Sequence, residues 1–151
     1  MHHQRRMLLG AAALALGLTA CDSEEVFVAT LSGANEVPAV TSNGTGMATF
    51  TLIDNTTLTY QLSVSDLDSV TAAHIHVGEA GIAGGIIRNL FTGPTTGLDF
   101  TGSLASGTIA EATGMSFDSL MVRMRNGTLY TNVHTRRNGG GEIRGQILLQ
   151  Q

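Results

Sequence analysis

TLTYQLSVSDL, residues Thr57 to Leu67, alternates residue by residue. Leu58, Tyr60, Leu62 and Val64 fall on one side of an extended chain, and Thr57, Thr59, Gln61 and Ser63 on the other. A period of two, with one wet face and one apolar face, marks a half-buried antiparallel strand. Just upstream, MATFTLI (Met47 to Ile53) sets Ala48, Phe50 and Leu52 against Met47, Thr49 and Thr51. Asp54-Asn55 supplies turn chemistry between the two stretches, so together they predict a hairpin. Short apolar or alternating segments recur outward from this pair, at Val26–Gly33, Ala72–Val77, Ile86–Phe91, Phe100–Leu104, Thr128–Thr135 and Glu142–Leu149. Clusters of Gly, Asn and Asp separate them. From Val26 onward there is no linker, low-complexity stretch or clear repeat. The expectation is one all-β antiparallel domain of about eight strands, in a pattern typical of sandwiches and barrels.

One helix interrupts the pattern. SFDSLMVRMRN, Ser116 to Asn126, puts Phe117, Leu120, Met121 and Met124 on one stripe at helical spacing. Ser116 is a natural N-cap and Gly127 a natural stop. A short helix at 116–126 plugging one end of the sandwich is the simplest reading.

Composition fits this class and excludes others. The 151 residues include 19 Gly and 19 Thr against 2 Pro, only 13% are charged, and all 8 basic residues are Arg. A net charge of −4 with no Lys offers no basic field, which argues against nucleic acid as a partner. The apolar content is too high for a disordered chain. A single cysteine rules out a disulfide framework or a multi-thiolate metal site.

That cysteine ends a distinctive leader. Arg5-Arg6 precede the apolar run Met7 to Leu18, which is too short to span a bilayer, where about 20 residues are needed. A positive head, a short apolar stretch and small residues describe a secretory signal. Its end, Leu18-Thr-Ala-Cys21, resembles the lipobox of bacterial lipoproteins. The resemblance implies a signal peptide at 1–20 and lipidation of Cys21, which becomes the new N-terminus. It also implies a tether at 21–25 and a folded domain at 26–151. The expected location is the bacterial cell envelope, lipid-anchored and facing the periplasm or the exterior. His2 and His3 would leave with the signal peptide. Loss of Arg5 and Arg6 would leave six Arg against 12 acidic residues, a formal charge of −6.

Three further stretches carry a second resemblance. They are Leu31-Ser-Gly-Ala-Asn-Glu-Val-Pro38, then Ala72-Ala-His-Ile-His76, then Asn132-Val-His-Thr135 with Gly141-Glu-Ile-Arg-Gly-Gln146. Each is short. Their order and spacing together resemble the chordin-type (CHRD) domain, over roughly Phe27 to Leu149. Ala39 stands where a second proline is common in that pattern. The resemblance implies an immunoglobulin-like sandwich and leaves the biochemical role open. Chordin's binding of growth factors does not carry over, since nothing here marks such a surface.

The only chemical constellation is histidine. His74 and His76 are two apart in a strand, so they project to the same side, opposite Ala73, Ile75 and Val77. In the strand ending at Thr135, Tyr130, Asn132 and His134 oppose Leu129, Thr131 and Val133. In the last strand Glu142, Arg144 and Gln146 oppose Ile143 and Ile147. All three histidines and Glu142 are therefore expected on the exposed outer face of one sheet. Imidazole nitrogens suit Cu, Zn or Ni, and three of them with an open position describe a catalytic rather than a structural site. Glu142 would serve as a ligand or behind one, with Glu36 and Glu79 as further candidates. The His-x-His pair on an outward strand is also similar to the copper/zinc superoxide dismutases, but only locally. The fourth copper histidine and the bridging one have no counterpart, so dismutase activity does not follow.

The same side chains also fit a polar network that only braces loops, or a site for another ligand. No serine nucleophile elbow and no phosphate-loop context occurs. The leading expectation is therefore a membrane-tethered domain with a binding or structural role, its protein or small-ligand partner unspecified. A Cu- or Zn-binding protein or copper-dependent redox enzyme is the alternative.

Overall fold

A computed structural model describes residues 24–110 and 114–150. Eight strands and one helix follow in chain order: β1 (Val26–Ser32), β2 (Thr45–Asp54), β3 (Thr57–Val77), β4 (Ile86–Thr92), β5 (Leu98–Ile109), α1 (Phe117–Arg125), β6 (Leu129–Thr135), β7 (Ile143–Gln146) and β8 (Leu148–Leu149). Every pairing is antiparallel. The fold is thus mostly β with one short helix, as the alternation and turn clusters indicate. The strands join in a single sheet of order β2-β1-β7-β6-β3-β4, and β2 also pairs with β3. β1, β2, β3, β6 and β7 therefore close a circuit. That closure removes most free edges, which would otherwise template association.

The hairpin read from sequence is β2–β3, with Phe50 opposite Tyr60 and Ala48 opposite Leu62. Asp54 Oδ1 accepts from the Thr56 amide and hydroxyl at 2.7 and 2.8 Å and holds the turn. Two expectations need correction here. The segments Thr57–Leu67 and Ala72–Val77 form one 21-residue strand. Its first half pairs with β2 and β5, and its second half with β4 and β6. Asp66 and Ser69 at the changeover both take φ of 56°. Bulges of this kind bend and twist a strand without ending it. The segment Glu142–Leu149 divides at Ile147 into β7, paired with β6, and β8, paired with β1.

The core fills the circuit. Phe27, Leu31, Phe50, Leu58, Leu62, Ile75, Val133 and Ile143 are fully buried, and Leu120 and Met124 of α1 join them. α1 starts at an N-cap, Ser116, whose side chain accepts from the Ser119 amide, and stops at Gly127 with φ of +63°. The signal segment and Cys21 lie outside the described residues. Among the described residues no helix is long and apolar enough to cross a membrane. Glu25 forms a two-pronged ion pair with Arg125 at the end of α1, at 2.6 and 2.8 Å.

Candidate metal centre

The register of three neighbouring strands sets the site. β6 lies between β3 and β7. His76 is opposite Tyr130, which is opposite Gln146; His74 is opposite Asn132, which is opposite Arg144. Alternation then places the even-numbered side chains of all three strands on one face. His134, opposite Ala72, lies diagonal to His74. The odd-numbered residues Ala73, Ile75, Val133 and Ile143 point the other way and are fully buried in the core. The predicted direction of the three histidines is therefore observed.

Their exposure is not as expected. His76 is only 7% exposed and His134 9%, with His74 half-buried. Two segments fold back over the face. Residues 78–85 bring the Gly84 carbonyl to His76 Nδ1 at 2.9 Å. Residues 136–141 bring the Gly139 carbonyl to His134 Nδ1 at 3.0 Å. Glycine is needed for both covers. A Cβ on Gly84 would strike the Val77 carbonyl oxygen. Gly141, at φ +138°, abuts the Asn132 amide and the Glu36 carboxylate, where a side chain would collide.

These contacts fix the protons. A carbonyl only accepts, so His76 and His134 each donate from Nδ1 and keep a lone pair on Nε2. His134 Nε2 then accepts from His74 Nδ1 at 2.9 Å. His76 Nε2 is buried without a partner. One nitrogen from each ring lies within 4.8 Å of the others. Ligands to one ion, at about 2.0 to 2.1 Å each, sit closer together than that, so ring shifts of about 1 Å would complete the set. Histidine ligands commonly give their second ring nitrogen to a carbonyl, which fixes the tautomer. Two of these three do so.

Electrostatics favour neutral rings. Burial holds His74 down to about 4, helped by His134 and His76 beside it. Burial also lowers His76 and His134, against the Gly84 and Gly139 hydrogen bonds. The rings are therefore neutral at neutral pH, with the His76 Nε2 lone pair free and that of His134 turned to His74.

Glu142 does not join the group. Its carboxylate accepts from Ser42 at 2.7 Å and Thr135 at 2.6 Å. Burial pushes its carboxyl up, but hydrogen bonds from Thr135, Ser42 and Asn138 outweigh that and leave it lowered. Glu36 is buried beside Asn132, whose amide donates to it at 2.6 Å. Burial raises Glu36 to about 7 despite the opposing charge of Arg144. Glu79 is exposed and outside the group, and its backbone carbonyl accepts from Arg144 at 2.9 Å.

Two neighbours were not singled out as site residues from sequence. The Tyr130 ring stacks on His76, with centroids 4.9 Å apart and planes 12° apart. The Arg144 guanidinium lies 3.4 Å over the same ring. Their strand parity, already readable, placed both on the histidine face.

All three motif stretches meet at this cluster, Glu36 from the first, His74 and His76 from the second, and Asn132, His134 and Arg144 from the third. A family model of the CHRD domain matches residues 27–147. The chain belongs to the CHRD domain family. No curated protein matches the sequence. In this CHRD domain the separated motifs thus work together, building and covering a single polar face of the sheet.

Proposed function

We propose that this protein is a lipid-tethered CHRD domain of the cell envelope that binds one copper or zinc ion through His74, His76 and His134. The observation that carries the reading is His76 Nε2, a buried lone pair without a partner, grouped with two further imidazoles. A buried acceptor left unsatisfied costs roughly 1–3 kcal/mol, and an ion shared with its neighbours would remove that cost. We assign the face a binding role. The leader ending at Cys21 supports the tether.

A second reading has its own support. The 2.9 Å contact between His74 and His134 already serves two of the rings. On that view the histidines brace the covering segments and hold nothing.

Elemental analysis separates the two. The full chain, solubilised in detergent, is stripped with a chelator and reloaded with Cu or Zn. The metal reading predicts one ion per chain, lost in His76→Ala and in His134→Ala. Wild-type protein that stays folded and takes up no stoichiometric ion would leave the bracing network as the function of the three rings.

A further inference from the structure

We propose that the centre selects monovalent copper over divalent ions, because a buried cation of the protein faces an all-neutral donor set. This rests on the reading of the three histidines as a metal site. Among the described residues the ligand group contains no carboxylate. Glu142 is engaged by Ser42 and Thr135, and Glu79, three residues beyond His76, is exposed and outside the group. Three imidazoles therefore leave the full charge of the ion uncancelled.

Arg144 adds to that charge. Arg144 is 2% exposed, and its guanidinium donates to the carbonyls of Glu79 and Ile82. One aromatic ring, Tyr130, separates it from His76. Glu36, the carboxylate that feels this cation, titrates near neutrality and so offsets it only in part.

Two effects then act in the same direction. The cost of moving an ion from water into a poorly solvated site grows with the square of its charge, about fourfold from one unit to two. The repulsion from a fixed charge grows linearly, and at about 10 Å in a protein medium each added unit costs about tenfold in affinity. Zn²⁺ bound by three imidazoles also takes a fourth ligand, whereas Cu⁺ accepts three nitrogen donors as a complete set.

The test compares ions on the full chain under anaerobic conditions. Cu⁺ is titrated against bicinchoninate, and Zn²⁺ and Cu²⁺ against a chromophoric chelator. The expected result is one Cu⁺ per chain, held at least about tenfold more tightly than either divalent ion. Arg144→Met should narrow that preference about tenfold, and Arg144→Lys should keep it. Should Arg144→Met fail to fold, the wild-type ratio decides alone. Zn²⁺ or Cu²⁺ bound as tightly as Cu⁺, and lost in His76→Ala, would overturn the selectivity and leave the three-histidine site standing. No ion bound at all would overturn both.

Discussion

Gly84 reaches the centre twice. Its carbonyl accepts from His76 Nδ1, and its amide donates to the Tyr130 hydroxyl at 3.1 Å. The close approach to Val77 that makes this possible has no room for a Cβ. Gly84→Ala should therefore lift residues 78–85 from the face and cost roughly 1–3 kcal/mol. A lower urea midpoint, with faster amide exchange confined to that segment and its contacts, would bear this out. An unchanged midpoint would mean that the cover is not held through Gly84. Single residues also mark the limit of what could be read in advance. Side-chain parity gave the direction of His74, His76 and His134, because β3 and β6 keep strict alternation through them. Burial was not legible. It comes from the Gly84 and Gly139 carbonyls, and no local pattern announces that those segments fold back.

Among the elements, α1 and the β2–β3 hairpin follow their sequence signals closely. Cap, stripe and stop residues agree in α1, and Leu120, Met121 and Met124 are the residues it buries. Ser116→Ala removes the side-chain acceptor for the Ser119 amide and should cost about 1 kcal/mol, read as a lower thermal midpoint. No change would place the start of α1 under the control of packing alone. β3 was harder to read. Ser65-Asp-Leu-Asp-Ser69 has the composition of a turn, yet Leu67 and Val70 remain buried and the strand runs on through two left-handed residues. β5 extends well beyond Phe100–Leu104, because only Leu104 and Ile109 along it are buried and the rest carries little apolar signal. Pairing with β3 holds those polar residues in place, and such pairing is set by distant strands.

For the whole molecule, pH and the membrane provide the tests. His74 titrates at about 4 in the fold against 6.5 for a free imidazole, and His76 and His134 are lowered as well. Above pH 6.5 these rings are neutral in both states. As pH falls from 6.5 towards 4, the unfolded chain takes up protons that the fold refuses, so the histidines lose stability for the fold. Glu36 acts oppositely. Raised from 4.5 to about 7, it binds its proton more readily when folded and adds stability as pH falls through that range. The three imidazoles, joined below pH 4.5 by the lowered Glu142, outweigh one carboxylate and give a net loss. The urea midpoint of metal-free protein should drop from pH 7 to pH 4, and more steeply in Glu36→Gln. A flat or rising midpoint would contradict the buried, neutral state of the rings. Cys21→Ser should move the protein from the membrane to the soluble fraction, and continued sedimentation with membranes would remove the lipid tether from the account. The most direct test of the centre is X-ray absorption on the copper-loaded full chain. The account predicts a shell of three imidazole nitrogens at about 2 Å, which falls apart in His76→Ala. A shell of oxygen donors, or a spectrum unchanged by that substitution, would contradict it.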